Sequence, residues 1–160
     1  PVPFYSNGLV YVVNGKPGDI YVVNPNGAIG DLTTTHMVWH AKRNGGRDLP
    51  SPAVIGNFAL VTAMGGVTTC YDAKSGKTHW IDRLEGSFSG SPLVANGLYY
   101  ILSESGVTYV LRPNGKALEI VSRNDLGGNE GEIFRATLSP IEGRVYIRSQ
   151  DLVYCVKGEG

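Results

Sequence analysis

Residues 92–102 read Pro-Leu-Val-Ala-Asn-Gly-Leu-Tyr-Tyr-Ile-Leu, which is a short apolar run, an Asn-Gly pair and a second run rich in aromatic and aliphatic side chains. An Asn-Gly pair between two such runs favours a tight hairpin, because both residues accept the positive φ angles of the turn. The stretch therefore predicts two antiparallel strands joined by two residues.

The same pattern occurs in three more places, at residues 3–13, 52–58 and 138–147. Successive turns are 49, 40 and 46 residues apart, measured at the following positions: Gly8, Asn57, Gly97 and Gly143. Self-similarity at roughly 40–50 residues, built only from strands, is typical of β-propeller blades. No window of 11 or more residues has a helical period, so we expect an all-β chain of four-stranded antiparallel blades.

The repeat predicts one propeller segment spanning residues 1–160, with about four blades at 1–49, 50–89, 90–134 and 135–160. The last blade lacks its outer strand, which favours either part of a larger propeller or pairing with a second copy. A ring closed by this chain alone is the alternative. The chain begins at Pro1 and has no signal peptide, so we interpret it as a mature product or an excised piece.

Composition limits the possible partners. Apolar residues make up 42% of the chain and charged residues 18%, which is typical of a globular protein. The 14 basic and 14 acidic side chains balance, whereas a nucleic-acid binder needs a basic surface. No apolar stretch reaches the roughly 18 residues that cross a bilayer. We therefore expect no nucleic-acid partner and no membrane span.

The two cysteines occupy the same place in the third strands of blades two and four. Equivalent positions two blades apart are farther than the ~7 Å between Cα atoms that a disulfide tolerates. We therefore expect Cys70 and Cys155 to be free, buried thiols.

Residues 71–80, Tyr-Asp-Ala-Lys-Ser-Gly-Lys-Thr-His-Trp, join the third and fourth strands of blade two. Asp72 can accept backbone N–H groups across the turn, and Gly76 can adopt the left-handed conformation. Trp80 would then lie on the fourth strand and pack between blades, with His79 pointing to the opposite face.

This turn resembles the tryptophan-docking repeat of the pyrroloquinoline-quinone-like (PQQ-like) β-propellers, which include quinoprotein dehydrogenases and a lipoprotein of bacterial outer-membrane assembly. Blade one offers Trp39 after an insertion, and Ile120 stands where blade three would carry the tryptophan. The resemblance implies a bacterial protein that is periplasmic or secreted. It also implies structural docking roles for these residues: Trp39, Asp72, Gly76 and Trp80.

The quinoprotein members, as the resemblance implies, hold the quinone between a tryptophan and a disulfide of adjacent cysteines, with a calcium ion beside it. This chain has no adjacent cysteines, and both tryptophans fall on outer strands. The acidic loop at residues 124–132 lacks the ligand spacing of a calcium loop. We assign no catalytic, cofactor or metal residue, and expect PQQ and calcium only if further blades complete a site.

The blade-to-blade connections are the longest loops, at residues 43–50, 83–90 and 123–136. Strands that alternate in direction place these connections on the same face as the hairpins between second and third strands. Long loops on a rigid scaffold often carry recognition, although these charges can equally be solvated loop groups. The candidate partner-binding face comprises Arg47, Asp48, Glu85, Phe88, Glu130, Glu132, Phe134 and Arg135.

The leading hypothesis is a non-catalytic PQQ-like propeller that acts as a protein- or ligand-binding scaffold module. One alternative is part of a quinoprotein-type or carbohydrate-processing enzyme whose active site needs further blades. Another is a self-assembling segment that pairs edge to edge as a homo-oligomer. The expected partner is a protein or the remaining blades of the same propeller.

Overall fold

Four antiparallel sheets follow one another along the chain, and each contains only strands that are consecutive in sequence. The computed structural model describes residues 1–16, 18–43 and 47–158. Within these residues there are fifteen strands and no helix. The three complete sheets have four strands each, and the last has three. The predicted all-β fold of propeller blades is confirmed.

The strand bounds follow the predicted turns closely. Blade one contains β1 (Phe4–Ser6), β2 (Leu9–Val13), β3 (Ile20–Val23) and β4 (Met37–Ala41). Blade two contains β5 (Ala53–Ile55), β6 (Phe58–Thr62), β7 (Val67–Asp72) and β8 (Thr78–Arg83). Blade three contains β9 (Leu93–Ala95), β10 (Leu98–Leu102), β11 (Val107–Leu111) and β12 (Ile120–Asp125). Blade four contains β13 (Ser139–Ile141), β14 (Arg144–Arg148) and β15 (Val153–Lys157).

The core lies between neighbouring blades, because side chains alternate between the two faces of each sheet. In blade two, Leu60 and Cys70 pack toward blade three, whereas Ala59, Val61 and Tyr71 pack toward blade one. A third cluster joins blades three and four around Leu102, Leu138 and Ile147. Each inner blade thus buries both faces, as radial stacking requires.

A ladder of hydrogen bonds aligns the first strands of the four blades. The N–H of Val2 donates to Ser51 Oγ at 2.8 Å, that of Ser51 to Ser91 Oγ at 3.1 Å, and that of Ser91 to Thr137 Oγ1 at 3.1 Å. Each residue stands at the same place, just before the inner strand of its blade. In the sequence, this ladder of hydrogen bonds is marked by the Ser-Pro pairs at residues 51–52 and 91–92.

The strand registers show that the residue of blade three equivalent to Trp80 is Ser122 and not Ile120. Trp80 lies opposite Cys70 across the β7–β8 pair, and Ser122 lies opposite Val110 across the β11–β12 pair. Because both pairs contain a one-residue bulge at the same point, Ser122 occupies the tryptophan position. The assignment of Ile120 to that position was therefore wrong by two residues.

His79 does not point away from the face that carries Trp80, as expected, because of the bulge in the β7–β8 pair. Its ring packs edge-on against Phe58, 5.5 Å between ring centroids, and its Nδ1 lies beside Gly115 of blade three. Trp80 also contacts blade three, through the carbonyl of Asn114. The extra residue of the bulge breaks strict alternation, so both side chains reach the same neighbouring blade.

Both cysteines are free, but only Cys70 is buried. Its fully enclosed position raises the pKa of the Cys70 thiol to about 12, because burial disfavours the thiolate. Cys155 is exposed, contrary to the sequence-based expectation. It lies opposite Tyr146 on the face of blade four that no other described sheet covers.

Candidate partner-binding face

Backbone hydrogen bonds tie the blade-to-blade connections to the hairpins between second and third strands. The N–H of Asp48 donates to the Gly15 carbonyl at 3.0 Å, and the N–H of Met64 donates to the Arg47 carbonyl at 3.1 Å. The same bonds recur around the face, from Phe88 to Met64, Glu104 to Ser87, Phe134 to Glu104, and Gln150 to Ile133. We call this surface the connection face, and its loops are held in a continuous belt.

The eight predicted face residues divide into two groups. Four side chains are exposed on the connection face: Arg47, Glu85, Glu130 and Arg135. The other four are buried, which sequence alone did not reveal: Asp48, Phe88, Glu132 and Phe134. The buried group cannot contact a partner directly, but it anchors the loops that present the exposed group.

Arg43 and Asp48 form an ion pair inside the first connection. The guanidinium Nη1 lies 2.6 Å from Asp48 Oδ2, and the two side chains are 4% and 0% exposed. The same Nη1 donates to the Gly18 carbonyl at 2.9 Å. Burial raises the pKa of Asp48, and the charge of Arg43 opposes this shift. A Cβ on Gly18 would collide with the Asp48 carboxylate, so this position requires glycine.

Blades two and three have an apolar pair of side chains at the position where blade one has this ion pair. The residue four positions after the tryptophan position is Arg43 in blade one, Leu84 in blade two and Leu126 in blade three. The belt aligns Asp48 with two phenylalanines, Phe88 and Phe134. Leu84 and Phe88 share one core cluster, and Leu126 packs with Phe134 in another. Aligning blades one and two on Trp39 and Trp80 matches Arg43 with Leu84, but Asp48 and Phe88 stand nine and eight residues after the tryptophan, so only the structure shows that they are equivalent.

Glu132 fastens the third connection to blade four. Ser149 Oγ donates to Glu132 Oε1, the Tyr154 hydroxyl donates to Oε2 at 2.6 Å, and the Asn129 N–H donates to Oε2 at 2.9 Å. These donors hold the pKa of Glu132 below its usual value, with Ser149 as the main cause. The acidic loop is therefore organised by protein donors.

Glu104 links the second and third connections. Ser89 Oγ donates to Glu104 Oε1, and Arg135 Nε donates to the same oxygen at 3.4 Å. The Arg135 side chain is still 65% exposed, so its charge faces solvent from a fixed position.

The two indoles lie between blades and donate hydrogen bonds to the next one. Trp39 Nε1 donates to the Ala73 carbonyl at 3.0 Å, and Trp80 Nε1 donates to the Asn114 carbonyl at 2.8 Å. Asp72 Oδ1 accepts the N–H groups of Lys74 at 3.1 Å and Ser75 at 2.8 Å. Gly76 has a φ of +72°, and a Cβ there would lie 2.5 Å from the Trp39 ring.

Two further findings concern cofactors and membranes. Across residues 1–16, 18–43 and 47–158, no group of three or more His, Cys, Asp or Glu side chains could hold a metal ion. In the same part of the chain, no helix has the length and apolar character needed to cross a bilayer.

Stacked four-stranded blades bridged by outer-strand indoles place the chain among the PQQ-like β-propellers. A family model described as outer membrane protein assembly factor BamB matches residues 18–124, which is more than half of the chain. The chain therefore belongs to this family. A search of curated protein sequences gave no match.

Solved structures share the fold at low sequence identity. BamB from Moraxella catarrhalis matches with a TM-score of 0.70 and 15% identity, over 96% of this chain and 41% of that one. A europium-containing methanol dehydrogenase matches with a TM-score of 0.60 and 14% identity, over 80% of this chain and 25% of that one. The computationally designed Ika4 protein matches with a TM-score of 0.68 and 13% identity, over 97% and 88%. This chain thus spans less than half of the BamB structure.

Proposed function

We propose that this chain is a non-catalytic scaffold segment that binds a protein partner through its connection face. The observation that carries the proposal is the belt of backbone hydrogen bonds beneath four exposed charged residues. Loops that are already ordered lose little conformational entropy on binding, so a fixed set of charges can recognise a complementary surface at low cost.

Membership of a family described as an outer membrane protein assembly factor supports a role in protein binding outside the cytoplasm of a bacterium. On this proposal, Arg47 and Arg135 attract acidic groups of the partner, whereas Glu85 and Glu130 exclude partners with the wrong charge pattern. The buried indoles act as docking elements that keep neighbouring blades in register.

A second candidate is assembly with further blades or with another copy of the chain. Cys155 and Val153 are exposed on the outer face of blade four, although their equivalents in blade two, Cys70 and Thr68, are fully buried. A neighbouring blade would cover these apolar positions in the same way. A quinone-dependent enzyme would also need such blades, with PQQ and calcium bound by residues beyond this chain.

Photo-crosslinking in the native bacterium tests the leading proposal. A crosslinking amino acid placed at Glu85 or Glu130 should give one discrete protein adduct, while the same amino acid at Asn57, on the opposite face, should give none. The adduct should disappear when Arg47 and Arg135 are both changed to Glu. Equal adducts at all three positions would contradict the proposal. Dye reduction on adding PQQ and calcium would favour the enzyme instead.

A further inference from the structure

A cavity of about 250 Å³ lies between blades one and two and opens at their outer strands. Both blades are complete four-stranded sheets, so the cavity does not depend on any neighbouring blade. Among the described residues that line it, none is acidic and five carry a polar group: Lys42, Arg43, Thr69, Tyr71 and Thr78.

The cavity is open because Thr69 is small. The strand registers align Thr69 with Tyr109 in blade three and with Tyr154 in blade four. At those two interfaces the tyrosine ring packs against a phenylalanine, Phe88 or Phe134, with ring centroids 6.0 Å and 5.7 Å apart. A threonine cannot fill the volume of a phenol ring, so the interface between blades one and two keeps an unfilled space.

The side chains around this space differ in chemistry from those at the next interface. Blades two and three bury three apolar side chains in one cluster at the corresponding positions: Leu84, Phe88 and Tyr109. Blades one and two have Arg43, Asp48 and Thr69 there instead. Burying polar groups costs free energy unless they are paired. This exchange is therefore unfavourable for packing alone and favours a binding role.

Arg43 has an unsatisfied donor at this interface. Its side-chain hydrogen bonds to Gly18 and Asp48 both use Nη1. Its Nε is buried and has no hydrogen-bond partner within the part of the chain that the structure describes. The Nε edge of a guanidinium can bind a carboxylate through two parallel N–H groups.

Tyr71 and Thr69 lie within interaction range of the Arg43 guanidinium. Burial raises the pKa of Tyr71, while the charge of Arg43 and the hydroxyl of Thr69 oppose this shift. A guanidinium and two hydroxyl groups therefore meet at one end of the cavity, where they can all donate hydrogen bonds to one anion.

Lys42 supplies the excess positive charge. The charge of Arg43 is balanced by the Asp48 carboxylate, whereas the exposed Lys42 lines the cavity beside it. The nearby Asp19 carboxylate lies 3.0 Å from His40 Nε2 and is not part of the cavity wall. One excess positive charge suits a monoanion.

We propose that this cavity binds a small organic carboxylate, whose charged group contacts Arg43, Lys42 and the Tyr71 hydroxyl and whose apolar part lies against Val67 and Ile81. The volume equals that of roughly eight water molecules at about 30 Å³ each, which suits a compact acid. The site goes beyond the proposed partner-binding role, because none of the four exposed residues of the connection face lines it.

The test follows the backbone amide signals of the 160-residue chain by NMR while sodium benzoate or sodium butyrate is added. Benzamide and butyramide are the matched uncharged compounds. We expect saturable shifts at Thr69, Tyr71 and Ile81 with both acids. The amides should bind about tenfold or more weakly, because a hydrogen bond to a charged group contributes at least that factor.

Thr69→Tyr provides the decisive variant, since it introduces the side chain that fills this space at the next two interfaces. We expect it to abolish binding of both acids while the chain keeps its β-sheet circular dichroism. Thr34→Tyr is the matched control, because it adds the same side chain at an exposed position in the insertion of blade one. It should bind both acids normally.

Two charge variants test the recognition of the anion. Lys42→Gln should weaken both acids by about fivefold, as expected for the loss of an exposed charge. Lys116→Gln, at an exposed lysine of blade three, should leave binding unchanged. The Arg47→Glu, Arg135→Glu variant should also bind normally, which separates this site from the connection face.

Several results would overturn the proposal. These are equal affinity for the acids and their amides, unchanged binding in Thr69→Tyr, shifts confined to residues away from the cavity, or no saturation at tens of millimolar acid. Tighter binding of phosphate than of either acid would overturn the carboxylate assignment. Tighter binding of the N-acetylglutamate amide would overturn the free-acid assignment in favour of an acidic side chain from a protein.

Discussion

The guanidinium of Arg43 and the carboxylate of Asp48 lie 2.6 Å apart inside the protein, where the next two blades each pack a leucine in one cluster with a phenylalanine. A buried ion pair must overcome the cost of removing two charges from water, and an apolar pair does not. The same structural position is thus filled in two chemically different ways within one chain.

The exchange predicts a non-additive mutational effect. Asp48→Ala should destabilise the fold by about 3–5 kcal/mol, because it leaves the buried Arg43 charge without a partner. The double variant Arg43→Leu, Asp48→Phe restores the pair found in blade two, and its stability should lie within about 1 kcal/mol of the parent or above it. Urea unfolding measures both. A double variant as unstable as Asp48→Ala would contradict the equivalence.

The indole of Trp80 should contribute through its ring more than through its hydrogen bond. Trp80→Phe keeps most of the apolar contact and removes the donor to Asn114, so we expect a loss of about 1 kcal/mol. Trp80→Ala leaves a cavity between blades and should cost about 3–5 kcal/mol. Thermal unfolding of the two variants separates the contributions. Equal losses would assign the effect to the hydrogen bond.

Stability should fall in acid partly because of Glu132. Its folded-state pKa is below the ordinary value of about 4.3, so its stabilising effect is complete above that pH and is lost as the pH falls through the folded pKa. The midpoint of thermal unfolding, followed from pH 7 to pH 3, should therefore drop less steeply in Glu132→Gln than in the parent. Glu142→Gln, at an exposed residue, serves as the control and should follow the parent curve.

The two thiols should react very differently. Cys155 is exposed, whereas Cys70 is enclosed and has a pKa raised to about 12. A disulfide reagent at pH 8 should modify one thiol of the folded chain quickly and two in denaturant. Cys155→Ser should remove the fast reaction. Fast modification of Cys70, seen as two fast thiols in the folded parent and one in folded Cys155→Ser, would show that blades two and three separate readily.

Turn chemistry made most of this architecture predictable. Asn-Gly and Ser-Gly-Lys sequences mark the turns at which strands end. The segments between these turns form strands because their β-branched and aromatic side chains suit a pleated sheet. The tryptophan position of blade three was misplaced at Ile120 because the turn before β12 is longer than the turn before β8, and nothing in the sequence near Ser122 marks the difference.

Burial in the loops was harder to predict. Nothing in the sequence near Asp48 or Glu132 distinguishes them from the exposed Glu85 and Glu130, because all are acidic residues in polar segments. Their enclosure depends on partners far along the chain, such as Ser149 and Tyr154 for Glu132. Contacts of that range are decided by tertiary packing, which local patterns do not encode.

The hydrogen bonds through Ser51, Ser91 and Thr137 fix the first strands of neighbouring blades relative to one another, and none of these bonds involves an outer loop. Neighbouring repeats stay level even though the segments between them differ in length by several residues. Because these hydrogen bonds do not involve the outer loops, the loops can change in length and sequence without breaking them. New recognition loops could therefore be introduced there while the first strands of the blades stay aligned.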